Sequence, residues 1–289
     1  MASTREIRRR IRSISSTAQI TKAMQMVAAS KMRKAQQAAI EIQPFVRMLY
    51  RIQRKATTRE IDFTHPLLEV REVKRRAVIL VASDKGLCGA LNSNLFRLVG
   101  RYDPKTTAFI AAGRKAAQFV ARTRRQLIAE FPYGDTVRFA ESRAIAAMAR
   151  DLFLKGEVDE VVFAATQFVN TLVQRPVVFE FLPVGDIRSV KVPEAPPPPD
   201  AADADRRDYL FEPNAADLIG YLLGHYLNVI VHLVLVNAKA SEQSARMVSM
   251  KNATDNADAL IKDLTLAYNK IRQGHITQEL LEIAGGQAS

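Results

Sequence analysis

The residues best placed for chemistry form one short loop, Ser83–Gly89 (SDKGLCG), directly after an apolar run that predicts a strand. A dinucleotide-binding fold holds its phosphate loop at this place. However, the loop has neither the G-x-G-x-x-G spacing nor the G-x-x-x-x-G-K-[ST] of a P-loop, and Gly113-Arg114-Lys115 after the next strand is a weaker match still. We therefore expect a tight turn or a partner contact here rather than a phosphate site. The candidate loop residues are Asp84, Lys85, Gly86, Cys88 and Gly89.

The other residue types that bind metals or act as nucleophiles are scattered. The four histidines, His65, His225, His232 and His275, show no metal-ligand spacing. Cys88 has no evident catalytic partner, and no G-x-S-x-G motif is present. His225 and His232 lie one heptad apart, which helix packing explains. The sequence thus predicts no catalytic site, no metal site and no cofactor.

A dense polar run near the C-terminus is the constellation that stands out. A solvated helix face is the ordinary explanation for charges of this kind. It does not explain the many Asn and Thr residues, which are mediocre helix formers. Polar groups spread around a helix instead indicate that the helix is encircled by protein and contacts different walls. The run consists of Ser241–Met247, Lys251–Ala257, Tyr268–Gln273 and Ile276–Leu280.

Two long helices, one at each end of the chain, must position these residues. Positions spaced alternately four and three from Ile7 to Leu49 are apolar in eleven of thirteen cases, which is typical of a coiled-coil seam. Many of them are alanine, so a partner helix can approach closely. Pro44 should bend this helix without ending the repeat. The seam is Ile7, Ile11, Ile14, Ala18, Thr21, Gln25, Ala28, Met32, Ala35, Ala39, Ile42, Val46 and Leu49.

The C-terminal helix is predicted from Pro213 to Ala284, with Gly285-Gly286 as its stop signal. Its apolar repeat changes phase between two stretches, where Asn237, Ser241 and Ser244 occupy would-be core positions. The first stretch is Ile219, Leu223, Tyr226, Ile230 and Leu233, and the second is Met250, Ala253, Ala257, Leu260, Leu264, Ala267 and Ile271. Two long helices at opposite ends of one chain most simply pair antiparallel. Separate coiled-coil dimers between chains are the alternative.

Between the two helices, short strands alternate with helices of about ten residues. This alternation predicts an open, mainly parallel sheet with right-handed crossovers. The last two strands are too close in sequence for a helical crossover, so they should form an antiparallel hairpin. The expected strands are Ala77–Ala82, Thr107–Ala112, Leu127–Ala129, Glu160–Thr166 and Val177–Leu182, and the expected helices are Asn92–Arg101, Arg114–Thr123 and Ser142–Lys155.

The predicted fold class is therefore α/β, a long antiparallel coiled coil of the N- and C-terminal helices plus a Rossmann-like open α/β domain. Val192–Asp208 (VPEAPPPPDAADADRRD) has the composition of a disordered linker. The expected divisions are an N-terminal coiled-coil helix at 1–58, the α/β domain at 74–190, a Pro-rich acidic linker at 191–208 and the C-terminal coiled-coil helix at 213–286.

Composition narrows the possible partners and compartments. The 289 residues carry a formal charge of +12, which favours an acidic partner such as nucleic acid, anionic lipid or another protein. A single cysteine excludes an intrachain disulfide framework. No run reaches the ~18 consecutive apolar residues of a membrane span. The Arg- and Ser-rich Met1–Ser16 could be a mitochondrial presequence, but Glu6 interrupts it and the apolar repeat begins inside it.

Three segments, in order and at matching separations, carry a resemblance to a known family. They are Ile20–Lys34 (ITKAMQMVAASKMRK), Ser83–Gly89 followed by Asn92, and Ser241 to Gly285. With them the chain closely resembles, over nearly its whole length, the gamma subunit of F-type ATP synthases, the rotating central stalk. The Pro-rich segment looks longer than usual for that family, and the regulatory cysteine pair of its chloroplast members has no counterpart here.

The resemblance implies a shaft without a catalytic site or cofactor of its own. In this family the paired helices lie inside a ring of three alpha and three beta subunits, and the α/β domain contacts the epsilon subunit and the membrane c ring. Proton flow turns the shaft, which drives ATP synthesis or, in reverse, follows hydrolysis. The location implied is the cytoplasmic side of a bacterial plasma membrane, as a peripheral protein.

The family's contact to the beta subunit carries over to Arg272 and Gln273, supported by Thr277 and Glu279. Further contacts to beta carry over to Arg246 and to the region around Met24, from Lys22 to Met26. The Asp84–Gly89 loop lies in the α/β domain.

Two other functions remain open from the residues alone. One is a nucleic-acid-binding coiled-coil arm, which the basic charge permits although Met1–Lys34 lacks the interleaved aromatics that such arms use. The other is a small-molecule enzyme built on the α/β domain. Salt-dependent RNA binding would favour the first, and turnover by the isolated chain would favour the second.

Overall fold

The computed structural model describes residues 4–58, 65–184 and 215–286. The first and the last elements of the chain are long helices, α1 at Thr4–Thr58 and α5 at Ala215–Gly286. Both helices were expected from the apolar repeats, and Pro44 lies inside α1 without ending it. The predicted linker at 191–208 lies outside the described residues.

Strands and helices alternate between α1 and α5, as the sequence predicts. A single turn of 3-10 helix, Pro66–Leu68, comes first. The strands are β1 (Arg76–Val81), β2 (Thr107–Ala112), β3 (Gln126–Phe131), β4 (Glu160–Phe168) and β5 (Gln174–Leu182). The helices are α2 (Leu91–Val99), α3 (Arg114–Arg122) and α4 (Phe139–Leu154). Each expected element is present, but β3, β4 and β5 are longer than predicted, and α4 begins three residues before its predicted start.

The five strands form one sheet in the order β3-β2-β1-β4-β5. β1 pairs in parallel with both β2 and β4, and β2 pairs in parallel with β3. β4 and β5 are antiparallel neighbours, so the expected hairpin is confirmed. The central strand β1 reads as an unbroken apolar run because it is covered on both faces.

Successive side chains of a strand point to opposite faces, so the sheet has two cores. Val78 and Leu80 of β1 pack on one face, in a cluster with residues of α2 and α3. Ile79 and Val81 pack on the other face, with residues of α4 and of α5 between Leu223 and Ala238. This part of α5 is therefore a core helix of the α/β domain as well as a terminal helix.

The polar run of α5 begins inside that core. Every residue from Leu233 to Ser244 is buried. The prediction that this first part of the run faces surrounding walls is wrong, because its hydroxyls bond within the chain. Ser241 Oγ donates to the carbonyl of Thr166 at 3.1 Å, and Ser244 Oγ donates to that of Thr171 at 2.8 Å. The helical stretch Gly220–Gln278 contains a window that is long and apolar enough to cross a membrane. More than half of this window is buried inside the protein, as in the core helix of a soluble fold.

The chain divides into two units, one of Met1–Ala29 with Arg246–Ser289 and one of Ser30–Ala245. In the first unit α1 and α5 pair antiparallel. The hydroxyls of Thr21 and Thr254 are 2.7 Å apart and buried, and the guanidinium of Arg8 contacts the Tyr268 hydroxyl. A residue early in α1 thus meets one late in α5. In this unit the buried residues of α1 are all predicted seam positions, Ile7, Ala18, Thr21 and Ala28.

The same antiparallel pairing occurs within the second unit. Ile42 of α1 packs against Val229 and Leu233 of α5. The Phe45 ring lies edge-on to His225 with the ring centroids 5.5 Å apart. The buried seam residues of α1 here are Met32, Ala35 and Ala39, again as predicted.

The register of the second α5 stretch differs from its prediction. Leu260, a predicted seam residue, is 47% exposed. Leu260 and Ala267 are exposed, while Ala253 is half-buried next to the buried Thr254. The inward positions are Met250, Thr254, Ala257, Ile261, Leu264, Tyr268 and Ile271. The predicted and the observed registers share every second position. At the positions between them, the prediction chose the alanines and a leucine because they are apolar, whereas the structure buries Thr254 and Tyr268 more deeply than those residues would suggest. The observed register is possible because the Thr254 and Tyr268 hydroxyls find partners on α1.

The Thr21–Thr254 contact gives a test of this register. Thr21→Val and Thr254→Val should each cost about 0.5–1.5 kcal/mol, because each leaves one hydroxyl facing a methyl group across the seam. The double variant should cost clearly less than the sum of the two, since both changes remove the same bond. Thermal unfolding of the four chains measures this cycle. Additive costs would mean that the two hydroxyls do not interact.

Candidate partner-binding site

The residues assigned to beta-subunit contact near the C-terminus lie on one exposed part of α5. Arg272, Gln273 and Thr277 are all exposed. The Thr277 hydroxyl donates to the Gln273 carbonyl at 3.0 Å, which satisfies it within the helix. This bond uses the main-chain carbonyl of Gln273 and not its side chain. The Glu279 side chain falls outside the described residues.

The two other residues assigned to this contact are less accessible. Arg246 is only 8% exposed, and Met24 is half-buried. Next to Met24, however, Met26 is 61% exposed, and Ile20 and Val27 are exposed as well. These apolar side chains on α1 are surface candidates that the seam pattern did not single out, although their off-seam positions were visible in it.

The loop after β1 is organised around two side chains. Asn92 at the start of α2 donates from Nδ2 to Ser83 Oγ at 2.7 Å, and the Ser83 N–H donates to Asn92 Oδ1 at 3.3 Å. Ser83 Oγ in turn donates to the Lys85 carbonyl at 2.8 Å. Cys88 is buried beside this pair, with Sγ 3.6 Å from Asn92 Nδ2. Asn92 is thus the residue that closes the loop.

The tip of this loop faces outward. Lys85, Gly86 and Leu87 are exposed, and Leu87 has a positive φ of 63°. Gly89 has a φ of 59°, which glycine adopts without strain. A tight turn that presents one cation and one apolar side chain is suited to contact a protein surface.

The same loop already caps α3, where a phosphate would otherwise bind. Asp84 Oδ1 accepts the Arg114 N–H at 2.9 Å, and the Ser83 carbonyl accepts the Lys115 N–H at 3.0 Å. A carboxylate at a helix N-terminus satisfies the donors that attract anions. The backbone N–H groups of Arg114 and Lys115 are therefore already bonded within the chain.

Sequence reasoning missed a group of charged residues near the carboxyl ends of β1 and β2. Asp135 accepts a hydrogen bond from Lys31 Nζ of α1 at 2.5 Å, and Gln243 Nε2 of α5 lies 3.5 Å from its other oxygen. The Lys31 hydrogen bond, with attraction from Lys31, Lys239 and Lys85, lowers the Asp135 pKa below its usual value. A signal was available, because Lys239 and Glu242 stand three residues apart at the end of an apolar stretch.

His232 takes a structural position between α4 and α5. His232 Nδ1 lies 2.9 Å from Ser142 Oγ, and its ring lies edge-on to Phe139 at 5.4 Å. Burial lowers the His232 pKa, against the opposing attraction of Glu141. Among the described residues, no three His, Cys, Asp or Glu side chains are grouped to hold a metal ion.

The chain is similar in sequence to proteins of one known family. The family model described as ATP synthase matches residues 3–289. The chain is 46% identical to the ATP synthase gamma chain of Opitutus terrae, over 99% of this chain and 98% of that relative. It is 41% identical to the ATP synthase gamma chain of Methylacidiphilum infernorum, over 99% of both chains.

Solved structures share the architecture. The central stalk with c ring of the Tetrahymena thermophila mitochondrial ATP synthase matches with a TM-score of 0.59 and 25% identity, over 81% of this chain and 99% of that one. The mitochondrial ATP synthase of Euglena gracilis matches in fold with a TM-score of 0.66 and 17% identity, over 99% of this chain and 93% of that one.

An antiparallel pair of terminal helices joined to a Rossmann-like sheet defines a central-stalk class of protein. Within that class, the chain belongs to the gamma-chain family of ATP synthases. The comparisons support the stalk interpretation and not the nucleic-acid-binding alternative.

Proposed function

We propose that this chain is the rotating shaft that couples proton-driven rotation of a membrane c ring to ATP synthesis or hydrolysis in an alpha/beta hexamer. The observation that carries the proposal is the antiparallel pairing of α1 and α5 along a seam of small residues. Two helices packed closely together resist torsion better than one, and a shaft must transmit torque.

The surface chemistry suits repeated contact with changing partners. Arg272 and Gln273 are exposed, and an exposed ion pair contributes only about 0–1 kcal/mol. Contacts of this size can break at each rotational step. The net charge of +12 attracts acidic surfaces without requiring one fixed position. Each orientation of the shaft would then favour one beta conformation, which is a population shift.

The partners and location follow from the same proposal. In this proposal the chain leaves catalysis to its partners and acts as a non-catalytic subunit of the proton-transporting ATPase. Alpha and beta subunits surround the paired helices, while the loop from Asp84 to Gly89 and the rest of the α/β domain contact the epsilon subunit and the c ring. The complex lies at the cytoplasmic side of the bacterial plasma membrane, which this chain touches only through the c ring.

A tagged chain tests the assembly. Purified from its own cells, it should bring down an alpha/beta hexamer with ATPase activity. A preparation that contains the chain but no ATPase would contradict the proposal. RNA that co-purifies and dissociates steeply with salt would point to the nucleic-acid-binding alternative instead.

The beta contact is tested by Arg272→Ala combined with Gln273→Ala. Loss of two exposed contacts should lower ATPase turnover of the reconstituted complex about two- to tenfold, since about 1.4 kcal/mol corresponds to tenfold in rate. The isolated chain should fold normally, because both side chains are exposed. Lys262→Ala with Thr265→Ala, an exposed cation and an exposed hydroxyl of the same helix outside the polar run, is the matched control. Equal turnover of both double variants would refute the role assigned to Arg272 and Gln273.

A further inference from the structure

A buried charged cluster joins α5 to the α/β domain. Lys239 Nζ lies 2.9 Å from Glu242 Oε2, and the two side chains are only 2% and 4% exposed. Lys239 Nζ also lies 4.5 Å from the centre of the Tyr133 ring. We call Lys239, Glu242 and Tyr133 the Lys239 cluster. Its two charges are one helical turn apart, and the ring belongs to the segment after β3.

Tyr133 ties this cluster to the centre of the sheet. Its side chain is buried, and its hydroxyl donates to the carbonyl of Ala82, directly after β1, at 3.0 Å. The contact thus runs from α5 through one aromatic ring to the central strand. A cation over an aromatic face and a charged pair both depend on direction as well as distance.

The opposite face of the same turn is also held. An α-helix turns by about 100° per residue, so Ser241 and Ser244 point away from Lys239 and Glu242. Ser241 Oγ donates to the carbonyl of Thr166 in β4, and Ser244 Oγ donates to that of Thr171 in the β4–β5 turn. One turn of α5 therefore makes directional bonds to the α/β domain on two opposite faces.

Stability alone does not account for a buried ion pair at this place. Burying two charges has a large desolvation cost, and apolar residues of similar size often serve stability equally well. Leu and Val contacts, however, are not directional, and α5 is buried all round between Leu233 and Ser244. Rotation of the helix about its own axis would exchange one apolar contact for another, but it would separate Lys239 from Tyr133.

We infer that the Lys239 cluster is a set of positioning residues that fix the rotational angle of α5 against the α/β domain, so that torque applied to the domain passes into the helix. This inference rests on the proposed function, since it concerns how a shaft is held by the part that is turned. It assigns to Lys239, Glu242 and Tyr133 a role in coupling rather than in contact with a partner.

The test measures ATP-driven proton pumping and ATP hydrolysis in the same inverted membrane vesicles. The main variant is Lys239→Met with Glu242→Leu, which removes both charges without leaving one buried alone. It should lower the number of protons pumped per ATP hydrolysed at least twofold while hydrolysis stays at or above the original rate. A purely structural role would lower both rates together and leave their ratio unchanged.

Two control variants distinguish the directional contacts of the Lys239 cluster from the mere presence of buried polar side chains. Lys239→Arg keeps a cation over the ring and a partner for Glu242, so it should preserve the ratio. Asn237→Leu removes another buried polar side chain of α5 outside the cluster and should also preserve it. If the main variant does not assemble, Tyr133→Leu decides, because it removes the ring beneath Lys239 while both charges of the pair remain. A lowered ratio then supports the inference.

The outcomes distinguish the two proposals. An unchanged pumping ratio in the assembled double variant, or in Tyr133→Leu if the double variant fails, would overturn the role of the Lys239 cluster and leave the shaft function intact. Equal loss in Asn237→Leu would overturn it as well. Complexes of the original chain that hydrolyse ATP without pumping would instead contradict the proposed function itself.

Discussion

Gly113→Ala should destabilise the α/β domain by about 2–6 kcal/mol. Gly113 has φ 93° and ψ 148°, a region that essentially only glycine occupies, at a cost of about 1–3 kcal/mol for other residues. An added Cβ would also lie 2.1 Å from the Ala82 carbonyl oxygen. That oxygen belongs to the backbone after β1 and accepts the Tyr133 hydroxyl, so it cannot move away cheaply. Overpacking adds about 1–3 kcal/mol.

Two other glycines separate the causes. Gly156 has a φ of 71°, but among the described atoms none lies within 4 Å of its added Cβ, so Gly156→Ala should cost only about 1–2 kcal/mol. Gly86 has neither a positive φ nor a close described neighbour, and Gly86→Ala should change stability by less than about 0.5 kcal/mol. Hydrogen exchange of the β1 and β2 amides measures the change in stability for each of the three variants. Equal costs at positions 113 and 156 would show that the collision does not matter.

Leu235→Ala should cost about 2–5 kcal/mol, the range for truncating a fully buried leucine. Leu235 is completely buried in the cluster that joins α5 to the sheet through residues such as Ile79 and Phe163. The loss should therefore appear in the α/β domain as well as in α5. Urea unfolding of the full chain, followed by circular dichroism and by exchange of the β1 amides, measures it.

Leucines of the same helix supply the control. Leu266 is 70% exposed, so Leu266→Ala in the isolated chain should stay within about 0.5 kcal/mol of the original stability. Periodicity places Leu260 in the seam, but the structure exposes it. Leu260→Ala should therefore change stability as little as Leu266→Ala does. If Leu260→Ala costs as much stability as Leu235→Ala, the register predicted from the sequence would be right for this stretch.

If both results are obtained, α5 has two roles along its length. Between Leu223 and Ser244 it is a core helix of the α/β domain, and from Met250 onward it pairs with α1 in a narrow seam. A helix that is buried all round can be held by a domain, whereas a helix with one buried stripe leaves the rest of its surface for partners. The Lys239 cluster lies where the first role ends.

Part of the candidate site could be read from the chain and part could not. Exposure of Arg272 and Gln273 is compatible with their place outside any apolar repeat. The apolar repeat already placed Ser241 and Ser244 at core positions, but their hydrogen-bond partners and the burial of Arg246 were not predictable, because polar side chains in a helix give no sign of which distant carbonyl they will meet. Thr166 and Thr171, which receive those bonds, are more than 70 residues away in sequence.

The element order, the two long helices, the α1 seam and the hairpin at the sheet edge could all be predicted from the amino-acid sequence. These features depend on local periodicity and on the length of the connections. The α5 register, the partners of its buried polar residues and the contacts of Lys239 with Tyr133 and of Lys31 with Asp135 became known from the folded chain. A buried polar group is stable only where partners are available, and those partners come from segments that periodicity cannot bring together.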